Sequence, residues 1–252
     1  MKLKIVPLIA ILGTGAWSLS SQAQVLVNET FDYADTTAML LNWSGGGSGA
    51  GGTLNTEAGL SAPSGAHDGT ASFHVWSGPA FSVTPTDAAP LVLSGDLWFS
   101  GTGGQRNTIG LRTGADPLFE IGFYNQAGAN GLSARILNFA GNENWIELAS
   151  YTSLGAGQEQ WIRFEATFAA TTLNIRWDLG ADGTWDGLLS SSGANATGVF
   201  SDLRFGGPSG VSSAGGSFLV DNIKLEVVPE PASAALLGLG LSGLLAWRRS
   251  RR

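Results

Sequence analysis

Strict alternation of apolar and polar residues is the feature that most limits what this chain can fold into. In the segment Gln160–Phe168 the even-numbered residues from 162 onward are apolar, and Trp161 falls on the other side with the charged residues. Leu173, Ile175 and Trp177 repeat this period after a link of four residues. Because successive side chains of a strand point to opposite faces, the two segments predict an antiparallel hairpin with one face in a core and one toward water.

Nine further segments have a similar length and composition, and glycine-rich stretches such as Ser44–Gly52 separate them. Glycine adopts the backbone conformations that tight turns need, so these stretches are predicted as loops. No segment shows the period of an amphipathic helix, and no repeat of fixed length is present. The sequence therefore predicts one all-β domain over residues 24–228, an antiparallel two-sheet sandwich or jelly roll. The nine segments are Val25–Tyr33, Ser72–Trp76, Leu91–Ser100, Thr108–Arg112, Leu118–Tyr124, Leu132–Phe139, Trp145–Ala149, Leu203–Phe205 and Ser217–Val227.

The first residues have the composition of a secretory signal peptide. Lys2 and Lys4 precede an apolar stretch over residues 5–16, and small residues follow it up to Ala23. We predict a signal peptide over residues 1–23, with cleavage by signal peptidase between Ala23 and Gln24. The apolar stretch is short for a permanent membrane anchor, which needs about 20 residues.

The last residues combine a proline pair, an apolar run and a basic cluster. Pro229, Glu230 and Pro231 are followed by sixteen uncharged residues, 232–247. A helix of that length measures roughly 24 Å, slightly less than the ~30 Å hydrocarbon layer of a membrane. The run predicts a transmembrane helix that acts as a membrane stop, with its basic end on the cytoplasmic side. The residues at that end are Trp247, Arg248, Arg249, Arg251 and Arg252.

This order of features resembles the PEP-CTERM sorting signal of exported bacterial proteins. In that family an exosortase, which is an integral-membrane protease, is thought to cleave near the Pro-Glu-Pro motif in bacteria that make extracellular polysaccharide. The resemblance implies a sorting signal over residues 229–252 and an intermediate anchored in the inner membrane. It further implies a final location in the outer envelope, at the cell surface or in the extracellular matrix.

A second resemblance concerns the two ends of the predicted domain. Residues 29–33, Glu-Thr-Phe-Asp-Tyr, and Phe218–Leu225 are similar to the opening and closing segments of concanavalin A-like, LamG-type jelly rolls. In that fold the first and last strands lie near one another. The resemblance implies that Phe31 and Ile223 lie in one part of the core.

Residues 24–228 have a more negative net charge than the chain as a whole, because the two end segments are basic. The net charge of the whole chain is −7, but two lysines and four arginines lie in the end segments. Residues 24–228 contain seven basic and nineteen acidic residues, a net charge of −12. This composition argues against nucleic-acid binding, which draws on clustered Lys and Arg. The chain has no cysteine, which excludes disulfides and thiolate metal ligands.

Catalytic chemistry is not predicted from the residues present. A glycoside hydrolase needs two carboxylates roughly 5 to 10 Å apart in one cleft. The nearest pair, Glu143 and Glu147, is equally consistent with a charged strand edge, and Glu120 stands alone. Nothing in the sequence indicates that a Ser and an Asp are arranged beside His67 or His74 as a hydrolytic triad, so we interpret them as histidines of the surface or rim.

Three aspartates, Asp178, Asp182 and Asp186, recur at a spacing of four around a glycine-containing segment. Carboxylate oxygens that converge in such a loop are typical ligands of Ca²⁺, the one cofactor for which the sequence offers candidate ligands. Asp182-Gly183 is also a strong signal for a hairpin turn, and the turn is the favoured interpretation.

Tryptophans supply the candidate contacts for a polysaccharide. Trp161 lies on the polar face of its predicted strand and Trp185 lies in the acidic loop, so both are predicted to contact sugar rings, whereas Trp98 and Trp177 are predicted in the core. The first hypothesis is an exported surface or matrix protein with a non-catalytic jelly-roll domain. The alternative is a carbohydrate-binding module for extracellular polysaccharide, and a glycoside hydrolase is less favoured.

Overall fold

The computed structural model describes residues 22–47, 52–55, 60, 62–67, 72–113, 118–124, 131–137, 143–192, 198–207 and 218–229. The chain divides into two units, of which residues 23–229 form the β domain. The other unit comprises residues 1–22 and 230–252, and all of it except Gln22 lies outside the described residues. The predicted signal peptide and transmembrane helix therefore fall almost entirely outside the description. No helix in the described ranges is long and apolar enough to cross a membrane.

The domain consists of two antiparallel sheets, as predicted. The eight-stranded sheet has the order β13-β12-β11-β6-β15-β4-β3, with β1 also paired to β15, and the seven-stranded sheet has the order β10-β9-β8-β7-β14-β5-β2. One helical turn, α1 (Thr36–Met39), follows β1. The strands are β1 (Gln24–Glu29), β2 (Trp43–Gly47), β3 (Gly52–Asn55), β4 (Ser64–His67), β5 (Ser72–Trp76), β6 (Leu91–Phe99), β7 (Asn107–Arg112), β8 (Leu118–Phe123), β9 (Leu132–Leu137), β10 (Glu143–Ala149), β11 (Gln160–Phe168), β12 (Thr172–Leu179), β13 (Gly187–Ser192), β14 (Asp202–Gly206) and β15 (Phe218–Val227).

The predicted hairpin of β11 and β12 is confirmed. Phe164 of β11 lies opposite Trp177 of β12, and Phe168 lies opposite Leu173. The even-numbered residues of β11 from Ile162 onward are fully buried. Both sheets direct alternate side chains inward in this way, so a single apolar core forms between them.

The predicted proximity of the chain's first and last strands is also confirmed. Strand β1 pairs with β15, and Glu29 lies opposite Ile223. Phe31 and Ile223 are both fully buried in the shared core. Phe31 has a φ of 53° and stacks on Trp43 with 5.9 Å between ring centroids. The chain thus leaves β1 in a sharp bend that turns the Phe31 ring inward, so the prediction that the strand continues to Tyr33 is wrong.

The predicted loop over Ser44–Gly52 is wrong at both ends. Residues 44–47 belong to β2, which pairs with β5, and Gly52 begins β3, which pairs with β4. Glycine and serine show no apolar period, so these strands form through backbone hydrogen bonds to a neighbour and leave no signal in the sequence. Strands β4 and β13 were missed for a similar reason. The short helix α1 was also missed, although Asp35 caps it by accepting a hydrogen bond from the Ala38 amide.

Candidate binding site

The centre of the seven-stranded sheet has a polar recess on the face that points away from the core. Ile109 and Leu111 of β7, like Phe119 and Ile121 of β8, point inward and are fully buried. Alternation therefore places Gly110 between them on the outer face, together with Glu120 of β8 and Arg204 of β14. The recess has a volume of about 240 Å³ and is lined by Phe73, Thr108, Gly110, Arg112, Glu120, Arg204, Phe205, Gly206 and Gly207.

Gly110 forms the floor of the recess. In register it lies opposite Glu120 on one side and opposite Arg204 on the other. A Cβ atom at this position would stand 2.7 Å from the Phe119 carbonyl oxygen and 3.0 Å from Glu120 Cγ. Glycine at this position therefore allows the Glu120 side chain to lie across β7.

The recess contains a network of ion pairs around Glu120. This carboxylate is only 3% exposed, its Oε1 accepts a hydrogen bond from Arg112 Nη2, and Arg135 Nη1 lies 3.8 Å from its Oε2. Arg204 Nη2 lies 3.1 Å from Asp202, and the Arg204 guanidinium sits 4.7 Å from the centre of the Phe73 ring. These pairs hold the charged groups in place at the centre of the sheet.

Three polar atoms in the recess are buried and have no hydrogen-bond partner among the residues that the structure describes. They are Arg112 Nε, Arg204 Nε and Glu120 Oε2. An unsatisfied buried donor or acceptor costs roughly 1–3 kcal/mol, and more when it is charged. Such a cluster of two donors and one acceptor is typical of a site that a polar ligand or ordered water completes.

An aromatic platform lies on the same face at the β10 edge. Trp145 stacks on Tyr124 with 4.2 Å between ring centroids and 14° between planes. Trp145 lies opposite Arg135, and Arg135 lies opposite Glu120. Four strand spacings separate β10 from β14, so the platform and the recess together span roughly 19 Å. Stacking surfaces and charged hydrogen-bonding groups thus share one face.

Trp161, a predicted sugar contact, lies on the outer face of the other, eight-stranded sheet. It is half-buried, and its ring centroid is 5.4 Å from that of Trp98. The prediction that Trp98 belongs to the core is wrong: Leu97 and Phe99 point inward, so Trp98 between them points out. The second predicted contact, Trp185, is 38% exposed, and the Arg176 guanidinium lies 4.1 Å from its ring centre. Sugar binding by these tryptophans stays a prediction.

The three aspartates of the predicted calcium loop lie together at the turn between β12 and β13. Asp178 accepts hydrogen bonds from the Asp182 and Gly183 amides at 3.1 and 2.8 Å. Asp186 accepts from the Leu179 amide at 2.6 Å, and Asp182 accepts from the Thr184 amide at 2.8 Å. The carboxylates thus stabilise the turn itself. No group of three His, Cys, Asp or Glu that could hold a metal ion occurs within the described ranges, and calcium here stays a prediction.

The eight-stranded sheet has its own polar recess, of about 210 Å³, beside Asp96. Asp96 is almost fully buried and accepts hydrogen bonds from Arg163 Nε at 3.0 Å and from Asn222 Nδ2 at 2.8 Å. Burial raises the pKa of the Asp96 carboxyl, although both hydrogen bonds oppose this rise. Both of its oxygens have protein partners, so this network fastens β6 to β11 and β15.

The remaining candidate groups are placed differently from their predictions. His67 and His74 are buried, with ring centroids 5.8 Å apart, so their interpretation as surface or rim histidines is wrong. Their strands β4 and β5 belong to opposite sheets, and both rings turn inward between them. Glu147 is exposed, whereas the side chain of Glu143 lies outside the described residues.

Sequence reasoning singled out Glu120 but missed its arginine partners. Arg112, Arg135 and Arg204 are scattered singly along the chain, and the sheet register brings them together. The available signal was the position of each arginine within a short strand, directly next to an inward-facing apolar residue, which places the arginine on the outer face.

A family model of the PEP-CTERM protein-sorting motif matches residues 227–252. The chain therefore carries this sorting motif, which indicates export and sorting to the surface or the extracellular space. The match begins within two residues of the predicted start at Pro229. The comparison with curated proteins returns no match.

Solved structures with two-sheet jelly-roll folds are similar to this chain. Domain 4 of AbnA, a GH43 extracellular arabinanase from Geobacillus stearothermophilus in complex with arabinotriose, has 12% identity and a TM-score of 0.52 over 82% of this chain and 94% of that one. A glycosyl hydrolase family protein from Mycobacterium fortuitum has 12% identity and a TM-score of 0.50 over 80% of this chain and 99% of that one. At this identity the similarity shows the fold alone.

Proposed function

We propose that this is an exported bacterial surface or matrix protein whose jelly-roll domain binds extracellular polysaccharide on the outer face of its seven-stranded sheet. The signal peptide over residues 1–23 directs export, and the apolar run over residues 232–247 holds an intermediate in the inner membrane. An exosortase then cleaves near Pro229. The domain fits the concanavalin A-like, LamG-type class of jelly roll, since its opening and closing segments pair with each other.

The polysaccharide assignment rests on one observation: the aromatic platform and the polar recess lie on the same face of the seven-stranded sheet. A sugar ring presents an apolar face, which stacks on an aromatic side chain, and hydroxyl groups, which donate and accept hydrogen bonds. Trp145 with Tyr124 supplies the stacking surface, and Glu120 Oε2 supplies an acceptor without a hydrogen-bond partner among the described residues. The face therefore offers both kinds of contact that a glycan needs.

A hydrolase is the less favoured function because of how the carboxylates of this face are paired. Glycoside hydrolysis needs one carboxylic acid that carries a proton beside one carboxylate. Glu120 bonds to Arg112, and Asp202 bonds to Arg204. Each of these carboxylates is thus engaged by an arginine in an ion pair, an arrangement that accounts for both as structural groups.

Replacing Trp145 with alanine tests the assignment, because it removes the stacking surface and leaves the recess intact. We expect the full-length variant, purified in detergent, to lose at least about tenfold in affinity for the polysaccharide of its own bacterium, as measured by affinity electrophoresis. Trp161→Ala on the opposite sheet tests the competing prediction that Trp161 contacts sugar, and the present proposal expects it to leave the affinity unchanged. If Trp161→Ala abolishes binding and Trp145→Ala does not, the site lies on the eight-stranded sheet and the proposal is wrong.

A further inference from the structure

We propose that the recess binds an acidic sugar, a uronate whose carboxylate lies between Arg112 and Arg204 and whose hydroxyl donates to Glu120. This inference rests on the proposed function and names the class of sugar. It follows from three features of the recess: its unsatisfied atoms, the spacing of its side chains and its local charge.

The unsatisfied atoms require a ligand with both an anion and a hydroxyl. Arg112 Nε and Arg204 Nε are buried donors on positively charged groups, and their best partner is an anionic oxygen. Glu120 Oε2 is a buried acceptor on a negatively charged group, and its best partner is a hydroxyl donor. A neutral sugar would leave the guanidinium donors with weaker partners, and a simple anion would leave Glu120 facing like charge. A hydroxy acid satisfies all three.

The sheet sets these groups at the separation of a sugar ring's substituents. Glu120 and Arg204 flank Gly110 on the two neighbouring strands, so their Cα atoms are about 10 Å apart. Arg112 lies two residues beyond Gly110 on the same strand and face, a step of roughly 7 Å. The Glu120 side chain lies over Gly110 and bonds to Arg112. The acceptor and the Arg112 donor thus lie together on one side of the recess, and Arg204 lies on the other side of Gly110.

The local charge has the opposite sign to the rest of the domain. Residues 24–228 have seven basic and nineteen acidic residues, yet three of the seven, Arg112, Arg135 and Arg204, meet at this network. Two carboxylates, Glu120 and Asp202, pair with them. Among the residues that line the recess itself, Arg112 and Arg204 are basic and Glu120 is acidic, so the recess has one more positive than negative group and attracts an acidic polymer that the rest of the surface repels.

The inference is tested by titrating the full-length protein in detergent with three polymers in a calorimeter. Polygalacturonate has carboxylates and hydroxyls, its methyl ester keeps the hydroxyls without the charge, and polyglutamate keeps the carboxylates without the hydroxyls. We expect polygalacturonate to bind at least about tenfold more tightly than either of the others.

Arg204→Gln tests the role of Arg204, and Arg176→Gln is its matched control. Both arginines pair with a carboxylate, lie over an aromatic ring and have a buried Nε without a hydrogen-bond partner among the described residues. Arg176 differs in lying on the opposite sheet, where it is the one arginine among the described residues that line its recess. We expect Arg204→Gln to remove the preference for polygalacturonate over its ester and Arg176→Gln to keep it. Arg204→Lys, which retains the charge without Nε, is expected to lose part of the preference. If circular dichroism shows that Arg204→Gln does not fold, the affinities of Arg204→Lys and of the wild-type protein for the three polymers still test whether the recess binds an acidic sugar.

Equal affinity for polygalacturonate and its ester would overturn the acidic-sugar inference and leave polysaccharide binding intact. Equal affinity for polygalacturonate and polyglutamate would show that the recess selects charge without a hydroxyl, which also overturns it. Failure to bind any polysaccharide, neutral ones included, would overturn the proposed function as well.

Discussion

Replacing Glu29 with alanine should lower the free energy of unfolding by about 3 kcal/mol. Glu29 is only 4% exposed and accepts hydrogen bonds from the Phe31 amide at 2.5 Å, from Trp43 Nε1 at 2.9 Å and from the Tyr33 hydroxyl. Burial and the hydrogen bond to Glu29 raise the pKa of Tyr33, so this hydroxyl keeps its proton and continues to donate. Alanine would leave three donors without their acceptor.

Chemical denaturation of Glu29→Ala and of Glu147→Ala would measure this effect against a matched control. Glu147 is an exposed glutamate on a strand, so its replacement should change the free energy of unfolding by less than about 0.5 kcal/mol. Glu29→Gln should give an intermediate loss, because the amide oxygen accepts while the amide nitrogen faces other donors. Similar stability for the two alanine variants would show that Glu29 does not hold the bend after β1.

Deleting residues 229–252 should change where the protein accumulates. The sorting motif spans residues 227–252, and the deletion removes Pro229, the apolar run and all four terminal arginines. Without an apolar stop, an exported chain has nothing to hold it in the membrane for processing. We expect the tagged, truncated protein to be soluble after export, whereas the full-length protein passes through a membrane-bound form that cell fractionation detects.

Replacing Pro229, Glu230 and Pro231 together with alanine separates anchoring from cleavage. This variant keeps the apolar run and the arginines, so it should accumulate as the uncleaved, membrane-bound form. A truncated protein that is distributed between membrane, surface and medium like the full-length protein would contradict the sorting role of these residues.

The alternation in Gln160–Phe168 was sufficient to predict β11, because the face on which each side chain lies is decided within the segment itself. The strand β2 (Trp43–Gly47) could not be predicted in this way. Four of its five residues are serine or glycine, and the strand forms because its backbone pairs with β5. The alternation of apolar and polar residues therefore predicts the strands whose side chains fill the core. It does not predict strands that form mainly through backbone hydrogen bonds to a neighbouring strand.

The candidate site illustrates the same limit. Gly110, Glu120 and Arg204 belong to three strands, and no spacing in the sequence indicates that they meet. Their meeting depends on the register of β7 with β8 and of β7 with β14. A shift of one residue would turn Glu120 into the core, so the site is set by register, which the sequence predicts only weakly. The position of Trp161 on an outer face was easier to predict, because it follows from the alternation within β11 alone.

A crystal structure of the protein with a bound fragment of its polysaccharide would show the binding face directly. We expect a sugar over the outer face of the seven-stranded sheet, with one ring stacked on Trp145 and a hydroxyl within hydrogen-bond distance of Glu120 Oε2. A sugar bound instead on the eight-stranded sheet, against Trp161 and Trp98, would show that the proposed binding face is wrong.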